Sequence, residues 1–461
     1  MPIEEDPQAD DIRRPPPEGV KETSGGRAFP CEPSKGAAGG TASGSVPAPG
    51  RRPAMRFIML TVLIDMMAIG LIIPVLPPLV GTFTNSPSEQ AFWYGAVTVA
   101  FGIANFFGSP ILGRLSDRYG RRPVLLLGFS GLALSFFVTG LATALWMLLA
   151  VRLFSGAMQS NIAVANAYVA DITPPDQRAQ AFGKLGAMLG MGFILGPVIG
   201  GLLGGINLHL PFFVAGGLAV VNWFYGYFVL PESLPIERRQ PFVLREANPI
   251  NSLRGLGELK GVGSLVLVLA LSGLVQFMTH TSWVLYTTFK FGWGPTQNGW
   301  SLFAIGLMSV LVQGLLLGRL LLRFSAPRLA IMGLVSSSLF YLLVGVVPEG
   351  WMLYPVIFVN VLGFAVSAAM QSLISNAADP TTQGRTAGAV ASLNSMMAVL
   401  APVIGAPLLA TVSHYPQGDW RIGAPFYFCA ALQAAATVVA VRHFKGERRR
   451  REALATANLL G

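Results

Sequence analysis

Long apolar runs separated by short polar segments occupy the chain from about residue 56 onward. An α-helix needs about 20 residues to cross the roughly 30 Å of hydrocarbon in a bilayer, and the runs have this length. The pattern predicts an all-α polytopic membrane protein with twelve transmembrane helices. We place them near 56–80, 92–112, 123–143, 146–168, 181–204, 210–230, 263–289, 298–318, 328–347, 351–374, 386–410 and 422–441.

Short motifs recur along the chain at one offset. Gly-Arg-Leu-x-x-Arg begins at Gly113 and again at Gly318, and Pro-Val-Ile-Gly begins at Pro197 and again at Pro402, in both cases 205 residues later. The repetition predicts two six-helix pseudo-repeats. The predicted organisation is a disordered cytoplasmic tail at 1–52, a first half at 53–230, a cytoplasmic linker at 231–262, a second half at 263–445 and a basic cytoplasmic tail at 446–461.

Charge is scarce and unevenly placed. Hydrophobic residues make up 52% of the chain and charged residues 12%, whereas a soluble domain has about 25% charged residues. From Arg51 onward, the chain ends and the loops between predicted helices fall alternately on two sides. One side holds 24 Lys and Arg residues, and the other side holds only Lys290 and Arg421. The positive-inside rule then places both termini in the cytoplasm. The net charge of +10 therefore indicates topology and contact with anionic lipid, not nucleic-acid binding.

A charged segment, GRLSDRYGRRPV, joins the second and third predicted helices. Its five ionised side chains predict a tight loop at a membrane surface. The segment resembles the cytoplasmic loop of the major facilitator superfamily, which has the pattern Gly-x-x-x-Asp-Arg-x-Gly-Arg-Arg. A solvated basic turn is the alternative. The resemblance implies a latch in which Asp117 pairs with arginines across the gap between the halves, with Gly113, Asp117, Arg118, Gly120, Arg121, Arg122, Asp171 and Arg178 as its residues.

Two charged residues lie well inside predicted helices. Asp65 is nine residues past Arg56, or roughly 13 Å at 1.5 Å per residue. A carboxylate is costly to bury in its charged form, which suits a proton carrier, and a structural acid is the alternative. Arg152 in the fourth helix has three interpretations: substrate binding, proton coupling or pairing with a polar neighbour. In the resembled family, an arginine at this place is linked to proton coupling.

The fifth predicted helix carries a stripe of small residues, GMGFILGPVIGG, beginning at Gly190. Small residues let helices approach closely, so ordinary packing explains the stripe. However, Gly-Pro-x-x-Gly-Gly resembles the fifth-helix motif typical of drug:proton antiporters, which uptake members of the superfamily usually lack. The motif residues are Gly192, Gly196, Pro197, Gly200 and Gly201.

Isolated polar residues on apolar helices are weaker candidates for a substrate cavity. Gln276 and His280 are one helical turn apart and share a face. Taken alone, a polar residue of this kind more often forms a hydrogen bond between helices than a contact with a ligand. The selected candidates are Asn105, Gln159, Gln276, His280 and Gln313, and Asn161, Asn166, Asn360, Gln371 and Asn394 belong to the same group.

From about Arg56 to Phe444, the chain is similar to the tetracycline:proton antiporters of Gram-negative bacteria. The similarity is carried by Asp65 with Pro-Val-Leu-Pro at 74–77, by the charged loop, by Ala-Tyr-Val-Ala-Asp-Ile-Thr at 167–173 and by Leu-Pro-Glu-Ser at 230–233. Those antiporters carry further acids in the third and ninth helices and a histidine in the eighth. Ser135, Ser337 and Ser309 stand at these places here, which makes a multidrug exporter a better fit than a strict tetracycline pump.

The sequence thus predicts a proton-coupled transporter that exports a drug-like molecule, of tetracycline type or multidrug, across the bacterial inner membrane by alternating access. The expected partners are the small-molecule substrate, protons and the lipid bilayer, with no nucleic acid, and a monomer suffices. Without a phosphate-loop, His-Glu-x-x-His or zinc-type motif, we expect no enzyme, cofactor or resident metal, although the substrate could be a divalent metal–drug chelate. The alternatives are a proton symporter for uptake of an organic solute and a non-transporting membrane sensor.

Overall fold

The computed structural model describes residues 51–159, 161–242, 263–377 and 383–460, all within the compact unit Ala48–Gly461. The predicted tail at 1–52 lies outside these residues except for its last two, which begin the first helix. The second part of the predicted linker, 243–262, also lies outside them.

The described residues form α-helices joined by short turns and 3₁₀ segments, and no strand occurs among them. In chain order the α-helices are α1 (Arg51–Ile72), α2 (Leu76–Gly81), α3 (Pro87–Tyr119), α4 (Arg121–Gly140), α5 (Leu145–Met158), α6 (Asn161–Ile172), α7 (Arg178–Ile206), α8 (Leu210–Val229), α9 (Gly263–Phe291), α10 (Pro295–Leu311), α11 (Leu317–Arg323), α12 (Ala326–Val346), α13 (Leu353–Val359), α14 (Val366–Ala377), α15 (Gln383–Val412) and α16 (Ala424–Leu460).

These helices supply the twelve predicted spans. Eleven segments are long and apolar enough to cross a membrane, and a twelfth consists of two helical pieces bent by 56°. Spans 1, 4, 8 and 10 each contain two helices, which are α1–α2, α5–α6, α10–α11 and α13–α14, and every other span is a single helix. The predicted all-α fold class is therefore confirmed.

Successive spans run in opposite directions, so their ends gather on two faces. We call the face that holds the α3–α4 turn the basic face, and the other the opposite face. The predicted charged loop is mostly helical, because α3 continues to Tyr119 and α4 begins at Arg121. Gly120 alone makes the turn, with φ at 107°, a backbone conformation that residues with a Cβ rarely adopt.

The last helix runs further than predicted. The sequence suggests a basic tail from residue 446, whereas α16 continues to Leu460. Arg448 Nε donates to Glu452 Oε1 at 2.7 Å, one helical turn away. Such pairs and the helix-forming Ala, Glu and Arg residues stabilise the extension.

Four spans are interrupted where the sequence predicts continuous helices. In span 1, α1 ends at Ile72 and α2 begins at Leu76. In span 4, α5 ends at Met158, Gln159 leaves the helix with φ at −86° and ψ at 78°, and α6 begins at Asn161. Span 8 contains a π-helical turn at Val312–Leu316. Span 10 breaks between Val359 and Gly363.

The two halves meet along two helix pairs near the opposite face. In the first pair, spans 5 and 8, a Cβ added to Gly201 would come within 2.6 Å of the Pro295 carbonyl oxygen. In the second pair, spans 2 and 11, a Cβ added to Gly95 would collide with the Ala406 side chain. Gly201 and Ala406 are 205 residues apart, so the sequence repeat relates the two contacts.

Toward the basic face the halves separate. The contact of spans 5 and 8 extends to Gly190, whose added Cβ would lie 3.4 Å from Val310. One or more helical turns closer to the basic face, added Cβ atoms would meet no described atom within 4 Å, as at Gly183, Gly186, Gly314 and Gly318. The molecule is therefore closed at the opposite face and open toward the basic face.

Candidate functional site

Asp65 lies in the middle of span 1 and is almost completely buried, with 4% of its surface exposed. Its Oδ1 accepts a hydrogen bond from Asn161 Nδ2 at 3.0 Å. The neighbouring Met66 packs on span 5, since a Cβ added to Gly192 would lie 2.6 Å from Met66 Cβ. Asp65 is thus level with Gly192, close to the point where the cleft between the halves ends.

Asn161 is held between Asp65 and span 3. A Cβ added to Gly128 of α4 would fall on Asn161 Oδ1, so only glycine leaves room for this amide. The Oδ1 atom is buried and has no hydrogen-bond partner among the described residues. Sequence reasoning placed Asn161 only in the wider group of polar residues, because a single sequence does not show that it faces Asp65.

Asn105 and Gln159, predicted for the substrate cavity, meet at the interruption of span 4. Asn105 Nδ2 of span 2 donates to the Gln159 carbonyl oxygen at 2.7 Å and approaches the Gly156 carbonyl oxygen at 3.5 Å. A helix end frees such carbonyl groups, and a buried carbonyl without a partner is costly. Asn105 therefore supports the interrupted helix.

Arg152 lies buried in span 4 on the other side of the interruption, with 8% exposed. Two of its nitrogen atoms, Nε and Nη2, have no hydrogen-bond partner among the described residues. Its guanidinium interacts electrostatically with Tyr94 of span 2. Tyr94 packs against core residues of both halves, which places Arg152 near their closed contact.

The remaining cavity candidates lie in the second half of the chain. Gln276 and His280 are both exposed on α9, and the His280 ring lies 6.1 Å from the ring of Phe193 in span 5. That contact joins the two halves at the level where the cleft ends. Gln313, in the π-helical turn, is exposed and donates to Ser309 Oγ at 2.7 Å.

The predicted latch residues form a network within the first half. Arg121 Nη1 donates to Asp117 Oδ1 at 2.6 Å, and Arg121 Nε donates to Asp171 Oδ2 at 3.1 Å. The expected partner of Asp117 lay across the gap between the halves, whereas its described partner is one helical turn away. The open cleft at the basic face explains the difference. Arg178 also differs, since it donates to the carbonyl oxygens of Ala170 and Thr173 at the end of α6.

The other predicted residues of this loop have separate contacts. The Arg118 guanidinium lies 5.1 Å from the Tyr119 ring centroid. Arg122 donates to the Tyr227 carbonyl oxygen at the end of span 6. A Cβ added to Gly113 would meet no described atom within 4 Å, because α3 faces the open side there.

Glu232, just after span 6, completes the network and was missed by sequence reasoning. Its carboxylate accepts backbone N–H groups of Arg121 at 2.8 Å, Arg122 at 3.2 Å, Ser233 at 2.9 Å and Leu234 at 3.0 Å. A carboxylate at a helix start satisfies free N–H groups and complements the helix dipole. The start of the linker is therefore attached to the N-terminus of α4.

The glycine stripe of span 5 forms two contact rows. Gly192, Gly196 and Gly200 face span 1, where an added Cβ on Gly196 would lie 2.6 Å from Gly70 Cα. Gly201 and the Pro197 carbonyl group face span 8, where an added Cβ on Gly299 would lie 2.5 Å from Pro197 O. One row thus packs within the first half, and the other closes the contact between the halves.

The three serines that stand where tetracycline antiporters carry ionisable groups all form hydrogen bonds. Ser135 is buried and donates to the Leu132 carbonyl oxygen at 2.9 Å. Ser337 Oγ donates to Asn360 Oδ1 at 2.9 Å, at the break of span 10. Ser309 accepts from Gln313. None of these positions supplies a charge.

Comparison with known proteins agrees with this architecture. The family model of the Major Facilitator Superfamily matches residues 58–402 and 265–459. Tetracycline resistance protein, class C, of Escherichia coli is 36% identical over 81% of this chain and 94% of its own length. Multidrug resistance protein 2 of Bacillus subtilis (strain 168) is 30% identical over 78% of this chain and 90% of its own length.

Solved structures show the same fold. The crystal structure of the human organic anion transporter MFSD10 aligns with a TM-score of 0.64 at 23% identity, covering 85% of this chain and all of that one. The two pseudo-repeated halves of six spans agree with the architecture of this superfamily, whose transporters are built from parallel repeats. The chain belongs to the major facilitator superfamily and is a multi-pass membrane transporter.

Proposed function

We propose that this protein exports a drug-like small molecule across the bacterial inner membrane in exchange for protons. The observation that carries the proposal is the buried Asp65, bonded to Asn161 at the level where the cleft ends. An ionisable group at this depth is costly to keep unless it has a function. Among the described spans, it is the carboxylate that lies far from both faces.

The direction of transport is supported by the charge distribution and the relatives. The positive-inside rule makes the basic face cytoplasmic, so both termini are cytoplasmic and the cleft opens inward. An inward-open cleft admits substrate from the cytoplasm or inner leaflet. The relatives named for tetracycline and multidrug resistance support a drug as the substrate.

The cycle follows from two conformations. With the cleft open inward, substrate enters and Asp65 releases its proton to the cytoplasm. Closure of the basic face and opening of the opposite face release the substrate outward, and Asp65 takes up a proton there. Either ligand shifts the equilibrium only by its differential affinity for the two conformations.

The test uses everted membrane vesicles with an acidified lumen and a pH-sensitive dye. Adding a transported drug should release protons from the lumen, and Asp65→Asn should abolish this release while the protein remains in the membrane. Asp176→Asn, the same change at an exposed site on the basic face, is the matched control. The panel contains tetracycline with and without Mg²⁺, then cationic and neutral drugs.

Each result separates the candidate functions. A response to tetracycline would mean that the serines at 135, 309 and 337 are compatible with that substrate, and a response to other drugs alone would make the protein a multidrug exporter. Proton movement in the symport direction would contradict export. Absence of a response to every compound would contradict proton-coupled drug exchange.

A further inference from the structure

Helix α6 carries a functional contact at each end. It begins at Asn161 in the middle of the membrane and ends at Ile172 on the basic face. Its 12 residues span about 18 Å at 1.5 Å per residue. One end touches the predicted proton carrier and the other touches the charged network of the α3–α4 turn.

The contact at the basic face fixes the position of Arg121. Asp171 Oδ2 accepts from Arg121 Nε at 3.1 Å and from Ser233 Oγ at 3.3 Å. Arg121 also bonds to Asp117 at 2.6 Å and is buried, with 9% exposed. A displacement of α6 would therefore change the partners of Arg121.

The contact inside the membrane differs between the two charge states of Asp65. A charged carboxylate accepts from Asn161 Nδ2, as observed. A protonated carboxyl group carries a donor of its own, and the buried Asn161 Oδ1 has no partner among the described residues. If the amide turned over, that acceptor would face the acid and take a hydrogen bond that only the protonated carboxyl group can donate, so this second arrangement requires the proton.

The interruption of span 4 gives α6 freedom to move separately from α5. Backbone hydrogen bonds hold a continuous helix rigid, but Gln159 has left the helix. Asn105 bonds to the freed carbonyl groups at this point. A side chain can exchange such partners more easily than a helix can break its own backbone bonds.

We propose that α6 transmits the protonation state of Asp65 to the Arg121–Asp171 ion pair, with Asn161 as the positioning residue at its start. The proposal rests on the proton coupling of the proposed function. Protonation changes the Asn161 contact, α6 shifts, and the rearranged Arg121 network changes how readily the basic face closes. Such a two-state element is what links a local charge to a global change of conformation.

Other ionisable groups around α1 and α6 are engaged elsewhere or lie near the basic face. Tyr168 of α6 donates to the Pro231 carbonyl oxygen, and Tyr225 of span 6 packs edge-on against Phe57. Arg152 interacts with Tyr94. Glu89 of α3 lies at the opposite face and accepts a hydrogen bond from the Asn85 N–H. The remaining ionisable groups on α1, on α6 and on the helices that pack against them are Arg51, Arg52, Arg56, Arg114, Asp117, Arg118, Tyr119, Arg121, Arg122, Asp171, Arg178, Lys184 and Tyr227.

The second half provides an internal contrast. The break of span 10 also has an asparagine, Asn360, but its Oδ1 accepts from Ser337, which carries no charge at any ordinary pH. A helix break with an asparagine is therefore present in both halves, and among the described residues only the asparagine at the break of the first half bonds to an acid. We therefore expect span 4 to respond to a proton and span 10 not to respond.

The experiment measures the opening of the basic face against pH without any substrate. Spin labels are attached at Gln177→Cys, just after α6, and at Leu322→Cys on α11, both exposed positions. The background lacks Cys31 and Cys429, and the full chain is reconstituted in lipid nanodiscs. Distance distributions are recorded by electron–electron double resonance at acidic and alkaline pH.

We expect the label distance to change with pH in the parent protein and to stop changing in Asp65→Asn and in Asn161→Leu. Asn161→Leu keeps the number and branching of the side-chain heavy atoms and removes the hydrogen bond, and Asn161→Ala serves the same purpose if the first variant does not accumulate. Ile162→Leu on the same helix, at an exposed position, is the matched control and should respond like the parent.

The outcomes separate this inference from the proposed function. If Asp65→Asn loses the response and both Asn161 variants keep it, Asp65 still senses protons and the proposed role of α6 is wrong. If the parent shows no response to pH, proton control of the cleft is itself contradicted, together with this inference. Loss of the response in Ile162→Leu as well would make the effect of Asn161 non-specific and contradict its assignment.

Discussion

At the residue scale, the proposed proton coupling depends on one contact, the hydrogen bond from Asn161 Nδ2 to Asp65 Oδ1 at 3.0 Å. Asp65 stands out because a lone carboxylate in a 28-residue apolar span is rare. Its contact with Asn161, and the space that Gly128 leaves for the amide, depend on how spans 1, 3 and 4 pack together. Hydrophobic patterning predicts which face of a helix is buried, but it does not predict which neighbour that face meets.

The space left by Gly128 gives a direct test of the Asp65–Asn161 contact. Gly128→Ala should push the Asn161 amide away, because the new methyl carbon would lie only 2.0 Å from Asn161 Oδ1. We expect drug-induced proton release to fall in everted vesicles while the amount of protein is unchanged. Gly217→Ala, where an added Cβ meets no described atom within 4 Å, should behave like the parent.

Glu232 is a second residue with a measurable contribution. Its carboxylate accepts four backbone N–H groups, two of them at the start of α4. We expect Glu232→Gln to lower the free energy of unfolding by about 1 kcal/mol, the usual scale of a helix cap. Thermal unfolding in detergent measures this, with the exposed Glu237→Gln as control. Equal melting temperatures for the two variants would show that the cap contributes nothing.

At the element scale, lengths and order of the helices follow from the sequence, whereas their interruptions do not. Twelve apolar runs predicted twelve spans because hydrocarbon thickness dictates helix length. The break after Met158 and the break after Val359 depend on Asn105, Ser336 and Ser337 bonding to groups at the breaks. Those donors come from other spans, which a local pattern cannot reveal.

The two glycine rows of α7 should respond differently to an added methyl group. Gly196→Ala would force apart spans 1 and 5, whose backbones touch there. We expect the free energy of unfolding to fall by about 1–3 kcal/mol, which is typical of overpacking. Thermal unfolding measures it. Gly183→Ala, with open space around it, is the control on the same helix. A stable Gly196→Ala variant would contradict the tight packing.

Gly201→Ala affects the contact between the halves instead. The added Cβ would lie 2.6 Å from Pro295 O and 3.0 Å from Gly299 Cα. We expect the fold to survive, because each half keeps its own core, and the closed opposite face to become less populated. Accessibility of a cysteine at Thr296 to a membrane-impermeant reagent should rise. Unchanged accessibility would show that this contact does not hold the face closed.

At the whole-molecule scale, the sequence repeat predicted two halves, and the structure adds where they meet. The two helix pairs that hold the halves together, spans 5 with 8 and spans 2 with 11, make close contacts near the opposite face, and these contacts are related by the repeat offset of 205 residues. No sequence motif shows which of the two faces is open. Closed and open arrangements use the same residues, and their balance depends on small differences in free energy.

A pair of cysteines can test whether the opposite face must open. Gly205→Cys and Thr296→Cys lie in direct contact across the two halves, so an oxidant should join them readily. We expect the cross-link to abolish transport and a reductant to restore it. The pair Gly186→Cys and Gly314→Cys, in the open cleft, should cross-link only when the basic face closes. Full transport by the cross-linked Gly205–Thr296 pair would contradict alternating access.

Only one carboxylate of the described spans, Asp65, lies far from both faces, and this also limits how much work the transporter can do. If Asp65 carries the proton, one turnover moves one elementary charge against each drug molecule. One charge moved through 100 mV releases about 2.3 kcal/mol, and each 1.4 kcal/mol corresponds to about a tenfold concentration ratio. Every 100 mV of proton-motive force therefore sustains at most about a fifty-fold gradient of a neutral drug. An exporter with this stoichiometry protects a cell best against compounds that re-enter slowly, because rapid leakage would hold the gradient below its ceiling.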